Sequence, residues 1–196
     1  MTKPSPRRIV AGLALLAFAG ATAGFAFRPA PPEALGAAVP EGATFVYEAD
    51  NLSALLESPV RCEIEKAFGP GVDLERMAQT NRWFRRVAPG RIILARIPAT
   101  MPQSSDTWLA ICELGIRAPF LRWRLEFLRS ETVRLLGRHH AWPVWLVRRP
   151  ESAARPAIGV SVTDSAFLIC LSEAPSNILL ALDAYDRPPD QRKDSK

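Results

Sequence analysis

Two adjacent histidines, His139 and His140, are the only histidines of the chain and its first candidates for metal binding or acid–base chemistry. Neighbouring side chains on a strand point to opposite faces and in a turn they seldom converge, so the two rings are expected to diverge. No cysteine, aspartate or glutamate lies within the usual ligand spacing, and a catalytic histidine needs an orienting partner. We therefore predict an exposed hairpin tip, and the sequence predicts no catalytic, metal-binding or cofactor-binding residues.

The cysteines and serines form no recognisable catalytic or metal motif either. Cys62, Cys112 and Cys170 include no C-x-x-C pair, the spacing typical of zinc and redox sites. Cys112 and Cys170 fall within predicted strands, where a buried thiol acts as a small hydrophobe. A disulfide between them would need adjacent strands, and their oxidation state stays open. No serine lies in a G-x-S-x-G motif, so a site assembled from a dispersed serine, histidine and aspartate is the remaining route to hydrolase chemistry.

An arginine cluster on the predicted helix 73–87 is the candidate interaction patch. It consists of Arg76, Arg82, Arg85 and Arg86. One interpretation is a solvated face whose arginine stems cover apolar surface, and the other is a docking face for anionic lipid or a partner protein. The tryptophans are interpreted as core or membrane-proximal packing rather than as a ligand cage. They are Trp83, Trp108, Trp123, Trp142 and Trp145.

The formal charge of +5 does not indicate a nucleic-acid-binding surface. Four of the 25 lysines and arginines lie in the first 28 residues, which contain no acidic residue, and this leaves 21 basic against 20 acidic residues. Without the polar tail from Arg187 onward, the counts are 17 basic and 18 acidic residues. Because the excess charge lies at the two ends of the chain, we do not expect nucleic acid as a partner.

The N-terminal 28 residues have the pattern of an export signal or a membrane anchor. Lys3, Arg7 and Arg8 form a positive head, and residues 9–27, from Ile9 to Phe27, are apolar and uncharged. This stretch is long enough to span a bilayer, which needs about 20 helical residues, whereas cleavable apolar regions usually have about 7–15. A retained anchor is therefore favoured over cleavage after Ala23, which would give a secreted protein.

The positive head is expected to stay in the cytoplasm, which places the domain in the periplasm or outside the cell, tethered to the inner or cytoplasmic membrane. Residues 1–28 are then the signal-anchor or signal peptide, residues 29–38 a Pro/Ala linker, residues 39–186 the extracytoplasmic domain and residues 187–196 a disordered polar tail.

Apolar periodicity and turn residues predict the elements that must position these side chains. Strands are predicted at residues 43–49, 91–97, 107–114, 132–136, 144–149, 157–162 and 167–171, and helices at residues 52–58, 60–68, 73–87, 120–129 and 174–186. Residues 120–129 fit a strand or a helix, and Pro119 favours the helix. The hairpin before Ala157 is expected to turn across residues 137–143. Hairpin-linked strands with helices between them predict an α+β fold, an antiparallel sheet covered by helices.

The opening of the domain contains short motifs in a fixed order: V-P-E-G-A at residues 39–43, F-V-Y at 45–47, D-N-L at 50–52 and E-S-P at 57–59. The strand after Pro89-Gly90 and the hairpin 157–171 with its helix follow. This series resembles exported, membrane-anchored bacterial proteins of unknown function whose opening reads VPADA–FV–V–DL–ALL–SP. The resemblance implies an extracytoplasmic α+β module with no assigned activity, in a family whose members often have a second related half.

The anchor, the near-neutral domain and the lack of a polar constellation together indicate a function without catalysis. We expect a domain that binds or scaffolds another component of the bacterial cell envelope, with the membrane and an envelope protein as partners and no cofactor. The alternatives are an extracytoplasmic hydrolase with a site built from dispersed residues, and a small-molecule or lipid-binding module that uses the tryptophan-rich surfaces.

Overall fold

The computed structural model describes residues 33–68, 73–80, 90–99, 105–127, 133–147 and 157–187, and within these residues seven strands form one antiparallel sheet. The strands are β1 (Phe45–Ala49), β2 (Ile92–Ile97), β3 (Thr107–Glu113), β4 (Val133–His139), β5 (Trp142–Val147), β6 (Ala157–Val162) and β7 (Ala166–Ser172). The α-helices are α1 (Glu33–Gly36), α2 (Leu52–Glu57), α3 (Val60–Phe68), α4 (Leu74–Thr80), α5 (Ala118–Phe127) and α6 (Ile178–Asp186). The predicted α+β fold is confirmed.

Two antiparallel meanders meet in the middle of the sheet, whose strand order is β1-β2-β3-β7-β6-β5-β4. Strands β3 and β7 join them, with Trp108 opposite Leu171 at one end of the pairing. The edge strands are therefore β1 and β4. On β4 the register shifts between Leu135 and Gly137, and a bulge of this kind hinders pairing of an edge with a second sheet.

Helices cover both faces of the sheet. One face packs against α2, α3, α4 and α5, in a core cluster that includes Leu55, Ile64 and Phe167. The opposite face packs against α1 and α6, in a second cluster that includes Leu35 and Leu182. Because helices shield both faces of the sheet from water, the inner strands are continuous apolar runs and do not alternate between apolar and polar residues. The first four residues of β2, Ile-Ile-Leu-Ala, are all buried.

Local signals explain the helices that flank the sheet. Asn51 accepts a hydrogen bond from the backbone N–H of Ala54 at 2.9 Å, the N-cap contact that starts α2. The segment that fitted either a strand or a helix is the helix α5, which buries Leu121 and Leu125, one turn apart. α1 buries Leu35, so the packed domain includes residues that precede the predicted boundary at Val39.

The buried cysteines lie on opposite faces of the sheet, although their strands are neighbours. Cys112 is opposite Phe167 and belongs to the cluster under α5, whereas Cys170 is opposite Leu109 and belongs to the cluster under α6. All three cysteines are free thiols, and Cys62 is exposed. Burial raises the pKa of Cys112 and of Cys170 to about 12, which fits the predicted role of small hydrophobes.

The predicted turn across residues 137–143 is wrong, because both strands of that hairpin extend into it. β4 continues to His139 and β5 begins at Trp142. Pro143 is tolerated because the ladder between β5 and β6 begins only at Val144, so its missing N–H breaks no bond on that side. The hairpin loop is therefore two residues long, which decides where the histidines lie.

The predicted anchor at residues 9–27 lies outside the described residues, and so does the predicted tail at residues 187–196, except for Arg187. Among the helices that the structure describes, none has the length and apolar character that a membrane span requires.

Candidate functional site

The β4–β5 hairpin brings the two histidines to its tip. His139 pairs with Trp142, so His140 and Ala141 form the loop between the strands. His140 has a φ of 51°, a left-handed conformation that hairpin loops usually fill with glycine or asparagine. Such a conformation costs an L-residue about 1–2 kcal/mol, although histidine adopts it more often than most. An imidazole thus occupies a position whose backbone favours a smaller residue, and outliers of this kind cluster at functional sites.

Helix α6 lies beside this hairpin, and buried polar contacts fix its start. Its apolar residues Ile178 and Leu182 are buried against the sheet. Directly before the helix, the Asn177 side-chain amide donates to Thr107 Oγ1 at 2.8 Å and to Ser172 Oγ at 2.9 Å. These hydroxyls belong to buried residues at the adjoining ends of β3 and β7. The bonds tie α6 to the centre of the sheet.

The end of α6 is fixed to the hairpin itself. Trp142 Nε1 donates to Asp186 Oδ1 at 2.8 Å, and the Trp142 ring meets the Tyr185 ring edge-on, with 5.8 Å between centroids. On its other side, the Arg122 guanidinium of α5 lies 5.3 Å from the centre of the Trp142 ring, within cation–π range. The buried indole therefore holds the hairpin, α5 and α6 in one arrangement.

Asp183 of α6 contacts both histidines through one carboxylate oxygen. His139 Nε2 lies 2.6 Å from Asp183 Oδ1, and His140 Nε2 lies 3.6 Å from the same oxygen. The two imidazole rings are in edge contact, with centroids 4.4 Å apart. The prediction that the rings diverge is wrong, because the two-residue loop gives His140 a positive φ and its ring lies beside that of His139. We call these three residues the histidine–aspartate cluster.

The histidine–aspartate cluster is partly exposed to solvent, and its contacts favour the ionised form of the carboxylate. The hydrogen bond to His139 lowers the pKa of Asp183 below its ordinary value, and His140 acts in the same direction, against the opposing effect of desolvation. The side chains of His139, His140 and Asp183 are 27%, 61% and 48% exposed, so the contacts among them contribute little to the stability of the fold. The cluster is therefore better suited to binding a ligand from solution than to stabilising the fold.

Two kinds of chemistry use a histidine beside a carboxylate. In hydrolases the carboxylate orients a histidine that activates a nucleophile, yet no hydrogen bond among the described residues joins either histidine to a serine, threonine or cysteine. In metal sites imidazole nitrogens and a carboxylate oxygen bind a divalent ion together. The ligand atoms of the three residues all lie within 4.8 Å of one another, which favours the second use.

A second candidate surface lies on the outer side of α5. Phe120, Trp123 and Phe127 are 64%, 56% and 69% exposed. Their spacing places them on one helical face, and their ring centroids are 6.1 Å and 5.1 Å apart in succession. Arg117 and Arg124 are exposed beside them, and neither has an acidic partner in the part of the chain that the structure describes. We call the three aromatic residues the aromatic stripe.

The predicted arginine patch is only partly described. Arg76 is exposed on α4, whereas Arg82, Arg85 and Arg86 lie outside the described residues, so the patch stays a prediction. The interpretation of the tryptophans as core residues is confirmed for Trp145 and Trp142, which are 1% and 7% exposed. Trp108 is partly buried against the core, Trp123 belongs to the aromatic stripe, and Trp83 lies outside the described residues.

A cleft of about 940 Å³ opens between α2, α3 and α4, on the face of the sheet opposite α6. Its lining mixes apolar residues such as Leu52 and Ala78 with an ion pair between Arg61 Nη1 and Glu75 Oε2 at 2.9 Å. The exposed thiol of Cys62 also lines it. This mixed lining differs from the deep apolar pocket that a lipid-binding or small-molecule module would need.

Comparison of the chain with protein-family models, with curated proteins and with solved structures finds no match in any of the three. Its function therefore has to be inferred from the aromatic stripe and the histidine–aspartate cluster.

Proposed function

We propose that the protein is a membrane-anchored extracytoplasmic domain that binds or scaffolds another protein of the bacterial cell envelope, and that the aromatic stripe is its binding surface. The observation that supports this most directly is the exposure of three large aromatic rings in mutual contact on α5. Exposed apolar patches on soluble domains commonly mark interaction sites, and aromatic residues and arginine are enriched at protein interfaces.

The exposed area is large enough to form the centre of an interface. An aromatic side chain contributes about 150–250 Å² when fully enclosed, so the exposed parts of the three rings amount to roughly 400 Å². If a partner covered this area, the buried apolar surface would contribute about 10 kcal/mol to the free energy of binding, at ~25 cal/mol per Å². Association itself costs about 4–15 kcal/mol, so the stripe needs a surrounding rim of further contacts.

The neighbouring charges, and the direction that the predicted anchor would give the domain, support a protein as the partner. Arg117 and Arg124 would face carboxylates of a partner surface whose apolar groove receives the rings. The stripe lies on one face of the sheet, whereas α1 packs on the other. Five residues separate Phe27 from Glu33 and reach about 20 Å when extended, so a membrane anchor at residues 9–27 would hold the α1 side toward the bilayer. The stripe would then point away from lipid, toward a protein.

Photo-crosslinking in intact cells tests this surface. We would replace Trp123 with p-benzoylphenylalanine in the full-length chain and, as the matched control, replace Leu180, which is 45% exposed on α6. The expected result is a discrete adduct with a second protein from position 123 and none from position 180. Adducts with lipid alone, a homodimer of this chain, or equal adducts from both positions would each contradict the proposal.

The anchor needs its own measurement, because the location of the domain depends on it. The intact mass of the protein purified from membranes should include residues 1–28. A mature chain that begins after Ala23 would instead show that the apolar stretch is a cleaved signal and that the domain is secreted.

A further inference from the structure

We propose that His139, His140 and Asp183 bind one divalent metal ion of the zinc class at the tip of the β4–β5 hairpin. Two imidazole nitrogens and one carboxylate oxygen form a ligand set that Zn²⁺ uses in proteins, with water completing an open site. Imidazole also suits Cu²⁺ and Ni²⁺, whereas Mg²⁺ and Ca²⁺ prefer oxygen ligands alone. The ligands therefore predict selectivity for zinc over the alkaline-earth ions.

One of the distances between the ligand atoms already matches a tetrahedral site, and a second needs a small change. Ligands about 2.0–2.1 Å from zinc are roughly 3.4 Å apart around the tetrahedron. The 3.6 Å between His140 Nε2 and Asp183 Oδ1 already fits this value. The 2.6 Å between His139 Nε2 and the same oxygen is a hydrogen bond, which an entering ion would replace by widening the gap by less than about 1 Å.

The backbone that supports the ligands is held in place without a metal. The bond from Trp142 to Asp186 fixes the hairpin against α6 one helical turn from Asp183. Binding would therefore need only rotations of side chains, and a site held by such supporting contacts loses little freedom when it takes up an ion.

The position of His140 distinguishes a metal site from an ordinary hydrogen bond between one histidine and one aspartate. If the only role of the contact were to stabilise the hairpin, the hydrogen bond between His139 and Asp183 would be enough. A glycine or asparagine at position 140 would then adopt the positive φ at a lower energetic cost. Instead, the residue with a φ of 51° is a histidine whose Nε2 faces the same carboxylate oxygen. A metal ion bound by both imidazole rings explains why the loop carries a second histidine.

Calorimetric titration with ZnCl₂ tests the site in the full-length chain, prepared without a polyhistidine tag. The background substitution Cys62→Ser removes the exposed thiol, which could bind zinc by itself. We expect one ion per chain, with a large excess of MgCl₂ or CaCl₂ failing to compete. His140→Asn keeps a side chain that tolerates positive φ, and Asp183→Asn keeps the shape of the carboxylate. Each should weaken zinc binding at least about 10-fold.

The matched control is Glu63→Gln, which changes an exposed carboxylate on α3, on the face of the sheet opposite α6, and should leave the affinity unchanged. Visible absorption of the Co²⁺-loaded protein gives a second measurement, because the bands of a site with two imidazole ligands should shift in the His140→Asn variant, which keeps only the imidazole of His139. The proposal is overturned if zinc does not bind, if either variant binds as tightly as the parent, or if magnesium competes equally. Circular dichroism of each variant confirms that any loss of binding occurs in a folded chain.

Discussion

Truncation of one ring of the aromatic stripe should affect binding far more than folding. Phe127 is 69% exposed, so about a third of its roughly 200 Å² is buried, or about 60 Å². At about 25 cal/mol per Å², Phe127→Ala would lower the free energy of unfolding by about 1.5 kcal/mol, and the better helix propensity of alanine offsets about 0.5 kcal/mol of this. Leu121, on the inner side of the same helix, is 7% exposed. Leu121→Ala should therefore cost about 2–5 kcal/mol, because it leaves a cavity.

Thermal unfolding of the full-length chain in a mild detergent, followed by circular dichroism, separates these two costs. In a domain of this size each kcal/mol shifts the midpoint by about 2–4 °C, so Phe127→Ala should lower it by less than about 4 °C. Leu121→Ala should lower it by roughly 4–20 °C. Equal losses from the two variants would refute the reasoning, because Phe127 would then be a structural residue and the stripe no free surface.

Further predictions concern the thiols and the start of α6. At pH 8 a thiol reagent should modify Cys62 alone, because burial raises the pKa of Cys112 and Cys170 to about 12; mass spectrometry that finds a second modified thiol in the folded chain would contradict this. Since unfolded thiols ionise near 9 and these thiols near 12, the free energy of unfolding should fall as pH rises through that window, by about 1.4 kcal/mol per thiol at pH 10. Denaturant titrations should find this loss smaller in Cys112→Ala than in the parent chain. Asn177→Ala removes an amide donor from two buried hydroxyls of β3 and β7, and it should lower the free energy of unfolding by about 2 kcal/mol. Ser176→Ala, at an exposed neighbouring position, should lower it by less than about 0.5 kcal/mol. Equal losses from the two variants would count against the hydrogen-bond network.

Local patterns in the sequence predict most elements of the fold, because the signals that begin and end them are local. The helix predicted at residues 52–58 forms as α2, with Asn51 as its N-cap and Pro59 just after its end. Pro119 correctly favoured a helix where the apolar alternation of residues 120–129 was also compatible with a strand. The turn across residues 137–143 failed for the opposite reason. Gly137 and Pro143 are turn residues by type, yet tertiary pairing places both within strands, at a bulge and at the start of a strand.

The histidine–aspartate cluster could not be predicted, because its partners are joined by the fold and not by spacing. Asp183 lies 44 residues after His139, and the contact depends on α6 lying beside the end of β4. One signal was nevertheless present in the sequence. Asp183 and Asp186 are one helical turn apart on an otherwise apolar helix, so two carboxylates on a single face had to meet either solvent or polar side chains.

The exposure of the aromatic stripe is not a consequence of how α5 packs. The inner face of the helix is buried through Ala118, Leu121 and Leu125. The side of the helix is held by Arg122, which contacts Asp164 and the Trp142 ring. Polar residues on the outer face would leave all of these contacts intact and would reduce the risk of aggregation. Because the fold gains little from exposed phenylalanine and tryptophan there, their presence is better explained by a surface that is covered when the protein acts, as the proposed binding role requires.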